Sequence, residues 1–275
     1  MTVFPGISEP LLRFGVFVLV LTAMAGWELA APFRAQARGR SRRWPANLGI
    51  VVVDSLVVRV LFPAGAVGAA LWAEARGIGL FHALGVPAPL AVPLSVVLLD
   101  LAIWGQHRVF HAVPLLWRLH RLHHADTEFD VTTGLRFHPI EIALSMLIKV
   151  AVVVALGAPA VSVLLFEVLL NAASMFSHGN VRLPARIDAA LRWLIVTPDM
   201  HRVHHSARRE ETDSNFGFCL SVWDRWFGTY RAEPAEGQER FTIGLETFRD
   251  PSELRLDRML TQPFREEAPR HNPPA

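Results

Sequence analysis

Eight of the twelve histidines in this 275-residue chain fall into three short groups. His107 and His111 stand in HRVFH, His120, His123 and His124 in HRLHH, and His201, His204 and His205 in HRVHH. Residues three or four apart share one face of a helix, so each group is expected to offer two or three imidazoles to a common point. Imidazole is the commonest metal ligand among side chains. A structural zinc ion takes four ligands; eight nitrogen donors are too many for one such ion and suit two. Imidazole serves iron, copper and zinc alike, so ligand type leaves the metal open. Cys219 is the lone cysteine, which excludes a thiolate cluster and an intrachain disulfide. No HExxH occurs, so the glutamate base of a zinc hydrolase is missing as well.

Further polar residues stand where they could serve such a centre. Glu167, Asn171, Ser174 and His178 recur at intervals of four, three and four, one stripe of a helix. A polar stripe on an apolar helix should face a bundle interior or a wet cavity. His178 is therefore read as a ninth ligand, with Glu167 and Asn171 as interior support. His138, in RFHPIE before a helix-starting Pro139, is open between a tenth ligand and a residue that fixes its loop through Glu141. Asp100 and Asp199 are candidates to orient a ligand histidine, as outer carboxylates do. Asp54 and Arg59 lie inside an apolar run, either paired with each other or marking a substrate path. His82 and His271 stand alone and are read as ordinary polar residues.

The elements that must position these residues are apolar. Hydrophobic residues make up 52% and the mean hydropathy is +0.31, which points to a membrane protein. The net charge of +2 gives no case for nucleic acid. Apolar runs cover 11–33, 47–73 with a kink at Pro63, 88–105, 140–156 and 160–176. A bilayer core needs about 20 residues per helix; the third and fourth runs are marginal and would be tilted or re-entrant. Trp27, Trp44, Trp72 and Trp104 stand near run ends, where an interfacial belt places them. The first run lacks the basic start of a secretory signal. Arg34, Arg38, Arg40, Arg42 and Arg43 follow it, whereas 74–87 carries only Arg76, so the first loop is expected in the cytoplasm. Threading onward puts 106–139 and everything after about 177 on that same face. The expectation is an all-α integral membrane bundle of four to five embedded helices. It has a cytoplasmic, histidine-rich helical cap and is multi-pass in the cell inner membrane. Residues 231–275 turn rich in Pro, Glu and Arg; 240–264 has enough apolar residues to pack, and the last ten are read as solvated.

The order HRVFH, HRLHH, HGN at 178–180 and TPDMHRVHH at 197–205 resembles the fatty acid hydroxylase and sterol desaturase superfamily. NFG at 215–217 and WDRWFGTY at 223–230 are similar to its carboxy-terminal pattern. The nearest likeness is to bacterial sterol-desaturase-like proteins, themselves similar to alkylglycerol monooxygenase. The resemblance implies a non-haem di-iron centre, O2 as cosubstrate, and hydroxylation or desaturation of a C–H bond in a sterol, fatty acyl or alkyl lipid. It implies as ligands His107, His111, His120, His123, His124, His201, His204 and His205, with His178 at the additional histidine and Asn180 beside it in HGN. His138 matches an HPxE pattern of part of the superfamily. The implied division is transmembrane helices over 1–94, the di-iron domain over 95–230 and a tail over 231–275. No HPGG of a fused haem domain occurs. Electrons are expected from a separate b-type cytochrome, or a ferredoxin with its reductase. The competing reading is a non-catalytic metal- or haem-binding membrane protein.

Overall fold

The computed structural model describes residues 2–4 and 7–266. A short antiparallel pair, β1 (Thr2–Phe4) and β2 (Ile7–Ser8), leads into α1 (Glu9–Ala30). The next apolar run forms α2 (Arg40–Leu61) and α3 (Gly65–Glu74), broken at Pro63, which has no amide hydrogen to continue the helix. One turn, α4 (Leu80–Ala83), precedes α5 (Ala88–Ala112). α5 outlasts the apolar run and carries both histidines of HRVFH in its last turns. It ends before Pro114, which opens α6 (Pro114–His124). α7 (Pro139–Leu156) stops at Gly157, whose φ of 66° suits a residue without a side chain. α8 (Ala160–Ser177) ends at His178. Short helices complete the cap: α9 (Ala185–Leu191), α10 (Pro198–His204), α11 (Arg209–Thr212), α12 (Val222–Trp226) and α13 (Leu256–Thr261).

Among the described residues five segments are long and apolar enough to cross a membrane: Glu9–Ala30, Arg40–Glu74, Ala88–Ala112, Pro139–Leu156 and Ala160–Ser177. This is a multi-pass membrane protein. Leu99, Val153, Val163 and Phe166 form the core where α3, α5, α7 and α8 meet. Phe14, Leu19, Val60 and Leu147 are exposed on the outer faces of the spans, where lipid would cover them.

The cap inverts this pattern, with its polar groups inside. Arg43 is fully buried and bridges two carboxylates: Nε and Nη2 donate to Asp126 at 2.9 and 2.6 Å, and Nη1 to Asp130 at 2.6 Å. Burial alone would raise the Asp126 carboxyl, but Arg43 and Arg136 beside it bring it down to about 2. Asn47 donates to Thr132 Oγ1 at 3.0 Å, and Arg136 donates to Leu122 O at 3.0 Å. Glu28 accepts from Val131 N at 2.7 Å and from Asn180 N at 2.9 Å. The ends of α1 and α2 thus grip the loop that follows HRLHH. Arg43, expected as a topological charge, is also a structural cation. Beyond residue 231, Phe241 and Ile243 pack on Phe129, and Met259 packs on Ile50 and Leu122. His271 and the other residues from 267 on, expected from the sequence to be solvated, lie outside the described residues.

Arg43→Ala leaves two buried carboxylates without their cation. Removing one partner of a buried pair costs about 3–5 kcal/mol, so the variant is expected to melt at markedly lower temperature in detergent. An unchanged melting temperature would count against the clamp.

Candidate metal centre

Nine buried histidines converge in two groups. His107, His111, His120, His124 and His204 form one; His123, His178, His201 and His205 form the other. Within each group one ring nitrogen per residue lies within 4.8 Å of the rest. The helices explain the division. Neighbouring residues on a helix are about 100° apart, so His123 and His124 diverge from one turn of α6. HRLHH sends His120 and His124 to the first group and His123 to the second. HRVHH on α10 does the reverse, with His201 and His205 in the second and His204 in the first. The expectation that each cluster serves one point is thereby corrected: each HxxHH serves both. α10 is set locally by Thr197, which accepts from Met200 N at 3.4 Å, and by Pro198 in its first turn. His178 reaches the second group from the end of α8. Gly134 permits this approach, since a Cβ there would stand 2.9 Å from His178 Nδ1 and 2.7 Å from Ser174 O.

Hydrogen bonds on the far side of the rings assign the tautomers. His107 Nδ1 donates to Phe216 O at 2.8 Å, His120 Nδ1 to Glu141 Oε1 at 2.6 Å, and His204 Nδ1 to Ser214 O at 2.6 Å. A carbonyl or carboxylate oxygen can only accept, so each Nδ1 carries a proton, and in a neutral ring Nε2 then keeps a lone pair. Yet His107 Nε2 lies 3.0 Å from both His120 Nε2 and His204 Nε2. Burial, with His120 adding to it, holds His204 down to about 3, so it is neutral at physiological pH. Lone pairs facing each other at this distance repel unless a cation lies among them. His111 Nε2 is buried without a hydrogen-bond partner among the described residues, as a ligand nitrogen would be. In the second group His178 Nδ1 donates to Ser174 O at 2.7 Å, and its Nε2 faces those of His123, His201 and His205 at 3.1 Å each. Phe137 stacks on His123 at 4.4 Å between ring centres, and Phe129 on His178 at 5.4 Å. The donor set fits two metal ions.

The other expected residues take different places. Glu141 holds His120. Asp100 touches no histidine: it accepts from Cys219 N, Leu220 N and Trp223 Nε1, fastening the segment whose Phe216 O holds His107. Asp199 pairs with Arg202 at 2.5 Å, and that guanidinium lies over Phe129, which backs His178. Asn180 exchanges hydrogen bonds with the backbone of Arg34, tying the first loop beside His178. Glu167 pairs with Lys149 at 2.8 Å and Arg13 at 2.6 Å inside the bundle, and Asn171 donates to Glu167 O. His138 is in neither group: Nδ1 caps α7 by accepting from Ile140 N, and Nε2 donates to Leu260 O. His82 is in neither group as well. Sequence reading missed Asp213, which accepts from His111 Nδ1 at 3.2 Å, and the acceptors Phe216 O, Ser214 O and Ser174 O. The motif NFG pointed near two of them, but a backbone carbonyl has no residue signature.

A cavity of about 430 Å³ runs from His107 and His120 into the bundle, walled by apolar groups such as Ile103, Phe137, Met146 and Phe218. A smaller polar one, about 210 Å³, reaches His111 from beside Trp117 and Asp213.

Two outcomes are expected. Burial lowers the pKa of His123, His124, His201 and His205, and takes His178 down to about 4. An unfolded histidine titrates near 6.5. Above that pH neither state binds the proton; below it only the unfolded state does, so stability is lost as pH falls from about 6.5 towards 4. Melting of the metal-stripped protein across this range checks the sign. Glu141→Ala removes the acceptor that orients His120 and should weaken metal binding roughly 10–100-fold, read by chelator competition.

Comparison with known proteins agrees with this geometry. Ornithine lipid hydroxylase OlsE of Rhizobium tropici is 30% identical over 148 residues, 54% of this chain and 44% of that protein. Alkylglycerol monooxygenase of Xenopus tropicalis is 27% identical over 168 residues, 59% of this chain and 35% of that protein. The human alkylglycerol monooxygenase is 27% identical over 154 residues, 54% and 32%. The matched region is thus less than half the length of each relative. No solved structure matches the chain. The fatty acid hydroxylase family model matches residues 92–229, half of the chain and all nine grouped histidines; the chain belongs to the fatty acid hydroxylase family.

Proposed function

We propose that this protein is a membrane non-haem di-iron oxygenase that uses O2 to hydroxylate or desaturate a C–H bond of a lipid. The observation that carries the reading is the convergence of ring nitrogens from nine buried histidines at two points. His107, His111, His120, His124 and His204 would hold one iron, and His123, His178, His201 and His205 the other. Bound there, iron would supply the activation of O2 and the oxidation of an unactivated C–H bond. The protein's own groups do the rest. Phe216 O, Glu141, Ser214 O and Ser174 O fix ring tautomer and direction. Phe129 and Phe137 back the rings and keep water off the second group. The apolar wall of the larger cavity accepts an alkyl chain and holds one carbon before His107 and His120. Asp213, partly exposed and bonded to His111, can pass a proton between solvent and the edge of the site.

The relatives' names, a lipid hydroxylase and a monooxygenase, support this class of reaction. Electrons would come from a separate b-type cytochrome, or a ferredoxin with its reductase. The arginine-rich first loop favours a cytoplasmic active site in the cell inner membrane. Residues 95–230 would form the catalytic domain.

Metal analysis of the purified protein should find two irons per chain and no Soret band; a Soret band would favour a haem-binding protein instead. His204→Ala and His123→Ala, one from each group, should lose iron and turnover while still inserting into the membrane. Full iron occupancy in both variants would sink the proposal. Lipidomics of cells with and without the protein should show a lipid gaining one oxygen or losing two hydrogens.

A further inference from the structure

Asp54 lies within α2, in an apolar segment long enough to cross a membrane. It is 8% exposed. Oδ1 is buried, and among the described residues the carboxylate has neither a hydrogen bond nor an ion pair. Arg59 is not its partner: five residues along a helix is one full turn plus about 140°, so the two face different ways. An unpaired carboxylate in such a place is costly to keep.

What Asp54 faces is the cavity that starts at His107 and His120. Gln106 and Glu141 line the same cavity, and Gln106 Oε1 and Glu141 Oε2 are likewise buried without a hydrogen-bond partner. The cations on its wall are already engaged, since Arg13 and Lys149 both pair with Glu167. A ligand in this cavity therefore meets spare acceptors and no spare cation. Apolar side chains surround them, so the ligand must be largely hydrocarbon with a few donor hydrogens. Buried acceptors discriminate strongly against a ligand that lacks those hydrogens, because they are then left unpaired.

We propose that Asp54 binds a hydrogen-bond-donating group of the lipid substrate, a hydroxyl or an ammonium, and thereby sets which carbon stands before the histidines. The proposal rests on the reading of the site as a lipid oxygenase and names the substrate class. Glu141, already bonded to His120, marks the metal end of the cavity, and Asp54 supplies a second point that fixes register.

Binding can be read without turnover, from the melting temperature of the purified full-length chain in detergent. Three lipids of matched chain length serve as probes: hexadecylglycerol with free hydroxyls, an ornithine lipid with an ammonium, and methyl palmitate with no donor. At least one donor-bearing lipid should stabilise the chain, and methyl palmitate should not. Asp54→Ala should weaken that binding roughly ten- to a hundredfold, the cost of leaving the ligand's buried polar group without its hydrogen bond. Asp54→Asn should keep the hydroxyl lipid and lose the ammonium lipid. The proposal is overturned if methyl palmitate stabilises equally, if neither donor-bearing lipid stabilises, or if Asp54→Ala binds as the wild type does. Melting of each ligand-free variant shows whether it folds. Iron content of the same preparations reports separately on the oxygenase reading, so failure of one is distinguishable from failure of the other.

Discussion

Nine buried imidazoles with ring nitrogens aimed at two points set the terms for the rest of this molecule. Neutral rings are demanded by burial, which excludes the charged form at ordinary pH. The direction of the ring nitrogens is set at His107, His111, His120, His178 and His204 by the acceptors behind the rings. The two conditions together suit a site for cations, and the surrounding elements meet them. α5, α6 and α10 supply rings at helical spacing. α7 supplies Glu141, and the segment after α11 supplies Ser214 O and Phe216 O. α8 supplies both His178 and the carbonyl that orients it.

Holding such a site means holding the loops around it, and the membrane-spanning helices do this from their ends. Arg43 at the start of α2 reaches Asp126 and Asp130, only a few residues past His124. Glu28 near the end of α1 takes two backbone amides, one of them two residues beyond His178. The spans are therefore more than an anchor: their cap-side turns hold the loops that carry the candidate metal centre. The same division of labour explains the reversed distribution of polarity. Lipid covers the apolar outer faces of the spans, so the polar groups are free to concentrate between them and in the cap.

The cavity brings the two solvents together. Its wall is greasy where a chain would lie, and it carries acceptors without donors near the histidines. Glu167 pairs with Arg13 and Lys149, and Glu9 with Arg13, so two carboxylates engage both cations of the cavity wall. Asp54, Gln106 Oε1 and Glu141 Oε2 are left on that wall with unmet bonding capacity.

Much of this was legible in the sequence because it is local. Spacings of three and four put histidines on one face of a helix whatever surrounds it, and apolar runs near or above the length of a bilayer core read as spans in isolation. The polar stripe ending at His178 was legible for the same reason. Periodicity says which residues share a face but not what that face meets. Only the tertiary structure split each HxxHH between two groups, since this depends on how α6 and α10 oppose each other. It also separated Glu141, which touches a histidine, from Asp100, Asp199 and Asn180, which act on the loops around one. It engaged both nitrogens of His138 in capping α7 and holding α13, and it left Asp54 alone at a cavity instead of beside Arg59. Those outcomes turn on contacts between residues far apart in the chain, several of them with backbone carbonyls. A carbonyl is the same group in every residue, so no residue type announces which one will orient a ring.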